Sequence, residues 1–206
     1  MKISVSKGYN KWRPHPWHGL EVGPDPPAVV HAFIEITPYD TIKYEVDKVS
    51  GYLMIDRPQL TSSLPAFNYG FIPRTYCWTR VAGLSGMASE GDCDPLDVCV
   101  ISERPINRAE IILPARVVGV IKTIDQGSVD DKIVAVLEHD AYWGDVEDVS
   151  ELPGAMIDRL RHYLLSYKNM PAQPPQVSLE GVGGAESARA VIAAAMEDYN
   201  QEFLNK

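Results

Sequence analysis

Cysteine is scarce in this chain: Cys77, Cys93 and Cys99 are the whole complement, an odd number with no CxxC pair. Neither a disulfide framework nor a structural zinc site is indicated, and a reducing compartment follows. No run approaches the roughly 18 apolar residues that a membrane-spanning helix needs. Residues 1–17 mix Lys2, Lys7, Lys11 and Arg13 with aromatics and prolines and lack the continuous apolar stretch of a secretory signal. The expected location is therefore cytoplasmic, with no membrane partner. Positive charge is also short, with 19 Lys and Arg against 28 Asp and Glu and a formal net charge of −9. That balance disfavours a protein that grips a nucleic-acid backbone through its own cations. It does not exclude an anionic ligand, because bound metal ions invert the local field. Internal repeats, heptads and low-complexity tracts are missing as well.

What is present is apolar material for one well-buried core, 45% of 206 residues, in a chain too short for two full-sized domains. The expectation is a single domain over 1–206, made of an irregular arm at 1–28, a barrel at 29–140 and a helical flank at 150–206. The arm follows from Pro14, Pro16, Pro24, Pro26 and Pro27, which remove backbone donors and fix φ. Strand-like runs rich in β-branched residues follow at 29–36, 41–47, 52–56, 96–101, 111–122 and 132–138, and their spacing predicts a closed antiparallel sheet. Within 42–47, Ile42, Tyr44 and Val46 alternate with Lys43, Glu45 and Asp47, which sets a Lys and a Glu side by side. The Gly-rich segment 85–91 reads as a mobile loop. Met156, Ile157, Leu160 and Leu164 mark a helix that starts near Pro153 and ends near Tyr167, Lys168 and Asn169, before Pro171. After a Pro-rich crossing and a turn at 181–184, Ala188, Val191, Ile192, Ala195 and Tyr199 form the apolar stripe of a terminal helix.

Chemistry concentrates in Asp92-Cys93-Asp94-Pro95-Leu96-Asp97, at the entrance to a strand. In an extended segment Asp92 and Asp94 share a face, and a bend at Pro95 lets Asp97 converge with them. Carboxylates this close repel unless a cation intervenes, and hard divalent cations prefer oxygen ligands. The competing reading is a solvated acidic turn. An EF-hand is excluded, because Leu96 stands where a ligand belongs and Asp97 where the turn glycine belongs. A second cluster, Asp125, Asp130, Asp131 and Lys132, lies between two strand-like runs. Glu35, Lys43, Glu45, Arg57, Tyr167 and Lys168 complete a mixture of acids for metals and cations or phenols for phosphate oxygens, which is what phosphoryl transfer requires.

These residues resemble the soluble inorganic pyrophosphatase family (family I, longer-chain bacterial type), whose signature stands here as Asp92-Cys93-Asp94-Pro95-Leu96-Asp97-Val98. The resemblance extends through Phe33-Ile34-Glu35-Ile36, Ile42-Lys43-Tyr44-Glu45-Val46-Asp47, Ile55-Asp56-Arg57, Asn68-Tyr69-Gly70-Phe71, Ile124-Asp125, Asp130-Asp131-Lys132 and Tyr167-Lys168. It implies a mainly β (α+β) fold, a five-stranded OB-like closed β-barrel with two flanking C-terminal helices and a site in the barrel's mouth. It further implies metal-dependent hydrolysis of pyrophosphate, the small-molecule partner, by direct attack of water. Several Mg2+ ions, or Mn2+ or other divalent ions, are implied at Asp92, Asp97 and Asp130, with Asp125 and Glu35 for further ions. Asp94 is implied as the catalytic base. Lys43, Arg57, Lys132, Tyr167 and Lys168 are implied to grip substrate, with Tyr69 acting through its hydroxyl and Glu45 in support. A homo-oligomer, dimer or hexamer, is implied too. The chain departs from the family pattern at Cys93, where Gly, Ser, Asn or Asp is usual, and at Pro65, where many relatives place a tyrosine. Cys93 puts a thiol close to the expected metals, which raises soft-metal inhibition as a hypothesis. The 77–91 insertion and His15-Pro16-Trp17-His18 look like those of longer relatives and make Trp12, Trp17 and Trp78 candidate interface residues. His15 and His18 are not read as metal ligands.

Overall fold

The computed structural model describes residues 13–86, 88–168 and 174–205. Its strands are β1 (Val29–Ile36), β2 (Ile42–Val46), β3 (Leu53–Pro58), β4 (Asn68–Phe71), β5 (Asp97–Ile101), β6 (Ile111–Asp125), β7 (Ser128–Val129), β8 (Lys132–Leu137) and β9 (Val177–Gly184). Its helices are α1 (Thr79–Ser85), α2 (Gly154–Ser166) and α3 (Ala185–Tyr199). Among the described residues no helix is long and apolar enough to cross a membrane.

Five strands close on one another: β1 pairs with β4 and β6, β4 with β5, β5 with β8, and β8 with β6. This ring is the expected OB-like barrel, with one correction: the β5–β8 pair is parallel. The order of apolar runs carries no direction for strands separated by another long strand, here β6. The parallel pair sets Asp97 beside Lys132 at the start of both strands. Close backbone approach is required at Gly70 in β4, where a Cβ would stand 1.8 Å from the Phe33 carbonyl oxygen. β2 and β3 form a separate hairpin sheet beside the ring.

Alternation along the strands divides the core. Val98, Val100, Ile133 and Ala135 join Val30, Ala32 and Val120 of the other ring strands in one cluster, to which α1 and α3 contribute, whereas Cys99, Ile101, Val134 and Val136 join Leu160, Tyr163 and Leu164 of α2 in another. Both faces are therefore buried, and the strands read as unbroken apolar runs. A third cluster joins Trp17, Phe33, Phe71, Tyr76 and Tyr199.

Three further differences from the sequence reading have local causes. The glycine-rich run read as a turn at 181–184 belongs to β9, which pairs antiparallel with β6; glycines supply no alternating side chains to announce a strand. The loop expected at 85–91 is preceded by α1, whose first N–H groups are capped from α3. There Asp198, 2% exposed, accepts from Trp78 N at 3.2 Å and Arg80 N at 3.1 Å. Trp17, expected at an interface, is 5% exposed within the aromatic cluster, and Trp78 sits edge-on to Tyr76. Trp12, Met87, Asn169 and Pro171 lie outside the described residues.

Candidate active site

Where β5 and β8 begin, a cavity of about 190 Å³ opens, far larger than a single water needs. Seven carboxylates line it, from Glu35, Glu45, Asp92, Asp94, Asp97, Asp125 and Asp130. Four ammonium groups face them, from Lys43, Lys48, Lys132 and Lys168, with the phenols of Tyr69 and Tyr167. Of the thirteen site residues expected from sequence, twelve line this cavity. Arg57 is the exception: it lies across the hairpin from Lys43, ion-paired to Asp56.

Local backbone aims each group. In β1 the register to β4 slips between Ile34 and Ile36, so Glu35 is the bulged residue and its side chain is turned toward the hairpin. Its carboxylate accepts the Val46 N–H at 2.7 Å. The parallel β5–β8 pair places Lys132 so that Nζ donates to Asp97 Oδ2 at 2.5 Å and also to Asp130. Tyr69, diagonal to Asp97 on β4, donates its hydroxyl to the same Oδ2 at 2.5 Å. The acidic segment is bracketed by residues 72–77. Cys93 N donates to Cys77 O at 3.0 Å, Cys77 N to Asp94 O at 2.9 Å, and Ile72 N to Leu96 O at 2.9 Å. Leu96, fully buried, anchors the chain between the acids. Asp125 ends β6 and pairs with Lys168, whose Nζ also lies 5.4 Å from the Tyr167 ring centroid. Lys43 pairs with Glu45 and, at 3.0 Å, with Asp56. Asp131 turns out of the cavity and accepts the Thr123 N–H at 3.2 Å.

The electrostatics follow from burial among like charges. Burial, then the carboxylate of Asp130, push Asp92 up to about 9, and burial pushes Glu35 up to about 8 against the opposing Val46 N–H. Burial would lower Lys132, but Asp130 and Asp97 outweigh it and hold this ammonium well above its ordinary value. Lys43 is likewise raised, because Glu45 and Asp56 outweigh its burial.

Among the described residues no three His, Cys, Asp or Glu side chains stand as a preformed metal cluster. Lysines sit between the carboxylates, as Lys132 does between Asp97 and Asp130, because close anions take the nearest cation. The donor set nevertheless fits hard divalent cations: it is all oxygen, carboxylates outnumber ammonium groups, and Asp125 Oδ1 is buried without a hydrogen-bond donor.

Sequence reasoning missed Lys48 and Trp17, which also line the cavity. Lys48 follows directly on the segment 42–47 and that adjacency was its signal; Trp17 had none beyond its place in a proline-rich arm. Cys93 does not line the cavity. Its thiol donates to the Gly91 carbonyl at 3.9 Å, and its φ of 63° is left-handed, a conformation in which glycine is least strained.

Comparison with known proteins bears on the same residues. A family model described as inorganic pyrophosphatase matches residues 32–200. An inorganic pyrophosphatase of Chlamydia trachomatis is 42% identical over 200 residues, covering 92% of this chain and 96% of its own. A soluble inorganic pyrophosphatase of Zea mays is 36% identical, covering 92% of this chain and 81% of its own. In three dimensions, the crystal structure of inorganic pyrophosphatase from Thermus thermophilus superposes with a TM-score of 0.77 at 27% identity, covering 90% of this chain and 99% of that one. Likeness that runs through the ring, the acidic segment and α3 alike makes the chain a member of the inorganic pyrophosphatase family.

Proposed function

We propose that this chain hydrolyses inorganic pyrophosphate to two phosphates by direct attack of water, in the cavity at the start of β5 and β8. The observation that carries this reading is the meeting of seven carboxylates with four ammonium groups in one cavity. Members of the family depend on divalent metal. On our reading Asp92, Asp97 and Asp130 would hold the activating ions, and Asp125 and Glu35 further ones. When bound, divalent ions, magnesium first and manganese or others as alternatives, neutralise the substrate's charge and make a water more acidic.

The chain's own side chains do the rest. Asp94 accepts the proton of the attacking water. Lys43, Lys132, Tyr167 and Lys168 hold phosphate oxygens, joined by Arg57 from the hairpin, and their charge offsets that developing on the leaving phosphate. Tyr69 orients Asp97 through its hydroxyl, and Glu45 orients Lys43. No covalent intermediate forms. We further read the chain as one domain working as a cytoplasmic homo-oligomer without nucleic-acid or membrane partners. Exposed apolar side chains on and beside the β2–β3 hairpin, Val49, Tyr52 and Ile55, support such self-association.

Colorimetric phosphate release from pyrophosphate tests the activity. Two phosphates should appear per pyrophosphate lost, release should stop in chelator, and excess magnesium should restore it. Release that continues undiminished in chelator sinks the metal assignment.

A further inference from the structure

We propose that Lys48 is a positioning residue for this reaction: it holds the Asp94 carboxylate over the cavity, and the N-terminal arm fixes Lys48 through His15. The proposal rests on the reading of Asp94 as the group that takes the water's proton. Lys48 Nζ donates to Asp94 Oδ1 from the β2–β3 turn, and both residues line the cavity. The Asp94 backbone is held from the core side, where its carbonyl accepts the Cys77 N–H at 2.9 Å. The main chain is thus fixed by the segment 72–77, and the side chain by a residue from the turn of the separate hairpin.

The turn that carries Lys48 is itself held. Asp47 Oδ2 accepts the Ser50 N–H at 2.8 Å, and the Asp47 carbonyl accepts the Gly51 N–H at 2.8 Å. Gly51 has φ +73°, and a Cβ there would come within 2.8 Å of Pro16 and 2.9 Å of His15, so the arm packs flush on the turn. His15 Nδ1 accepts the Trp17 N–H at 3.2 Å, which leaves Nε2 to donate to the Lys48 carbonyl, also at 3.2 Å. Trp17 is anchored in turn, its indole N–H donating to the Thr75 carbonyl at 2.8 Å. The Thr75 hydroxyl accepts the Leu96 N–H at 2.9 Å. The arm therefore ties the turn bearing Lys48 to the segment bearing Asp94 and Asp97.

Stability is not what this ion pair supplies. Its side chains are 54% and 42% exposed, and pairs that open to water add little to folding. Orientation is what it can supply, since a general base must meet its water within hydrogen-bonding reach.

Kinetic double-mutant cycles on the full chain test the proposal, with Lys48→Met, Asp94→Asn, Lys48→Arg and His15→Ala, and with Lys48→Met combined in turn with Asp94→Asn and with His15→Ala. Lys48→Met should lower kcat about tenfold, with KM within about twofold of the parent and the melting temperature unchanged. Lys48→Arg should recover most of kcat, and Lys48→Met should add no loss in the Asp94→Asn background. His15→Ala should lower kcat in the same sense and add nothing to Lys48→Met. Multiplicative losses from Lys48→Met and Asp94→Asn overturn the clamp, as does a raised KM at preserved kcat, which makes Lys48 a direct phosphate contact. Parent kcat in Asp94→Asn alone removes the base assignment beneath the proposal, a failure that lies with Asp94 and not with Lys48.

Discussion

The two ends of β8 use aspartate in opposite ways. At its start, Asp130 shares a buried ammonium with Asp97, and neighbouring Asp92 is pushed up to about 9 by burial and by Asp130 itself. Three residues past its other end, Asp140 is partly desolvated but accepts N–H groups from Glu103 at 2.8 Å and from Tyr142 and Trp143 at 2.9 Å. These donors draw its carboxyl below the usual range. Asp148, farther along, is likewise drawn down by Ser150 and by the Ala185 N–H at 2.8 Å that opens α3. Where donors are aimed at a carboxylate, the charge stabilises the fold; where carboxylates are crowded and buried, the fold carries unfavourable charge that only a cation relieves. The first arrangement belongs to architecture, the second to chemistry.

The comparison breaks most readily at Asp97. Asp97→Asn should lower kcat by about 10³-fold, because a neutral amide is a poorer ligand for hard cations. It should leave the melting temperature unchanged or slightly raised, since one repelling carboxylate is gone. Phosphate-release kinetics with thermal unfolding checks both. Parent turnover contradicts the metal assignment, and a large loss of stability contradicts the claim that this end is strained by charge.

A pH series sharpens the contrast. Glu35 and Asp92 have folded-state values of about 8 and about 9, above their ordinary 4.5 and 3.8. Between those limits the folded chain binds protons that the unfolded chain has released, so stability falls as pH rises through the window. Asp140 and Asp148 are depressed, so what they contribute is present above pH 3.8 and is lost as pH falls through their lower folded values. In chelator, the melting temperature should therefore peak near pH 4, where the two windows meet, and decline toward pH 9. Magnesium should flatten the alkaline decline and leave the acid side alone. A decline that magnesium does not touch would detach Glu35 and Asp92 from metal binding.

At the architectural end the effect is smaller and purely structural. Asp148→Ala removes the capping box of residues 148–151 and the acceptor for the Ala185 N–H. It should lower stability by about 1–2 kcal/mol without changing kcat.

The chemical half of this division was legible in the sequence, and the reason is local. Asp92-Cys93-Asp94-Pro95-Leu96-Asp97 announces itself because charge density at a strand entrance has few purely structural uses, and twelve of the thirteen expected residues reach one cavity. Relations between distant segments were not legible. The parallel β5–β8 pair, the Asp198 cap on α1 and the Lys48–Asp94 ion pair each join residues more than thirty positions apart. β9 was hidden for a different reason: its glycines leave the period-2 pattern blank. Arg57 shows the converse, a residue read as lying just after a strand that in fact belongs to β3 and whose side chain turns to Asp56.

Backbone strain, unlike charge, is not partitioned between the two ends, and that sets the weakest effect apart. Cys93 at the mouth and His139 beside Asp140 both have φ 63°. For an L-residue that conformation costs about 1–2 kcal/mol, from which the flexibility glycine adds to the unfolded chain subtracts about 0.5–1 kcal/mol. Cys93→Gly and His139→Gly should thus each gain roughly 0.5 kcal/mol, a rise of about 1–2 °C in melting temperature. Because the Cys93 thiol is bonded to the Gly91 carbonyl and does not line the cavity, Cys93→Gly should also leave cadmium inhibition as it is in the parent. A variant that loses cadmium sensitivity would place the thiol within reach of the metals. If only one of the two glycine variants gained stability, strain as well as charge would be concentrated at one end of β8.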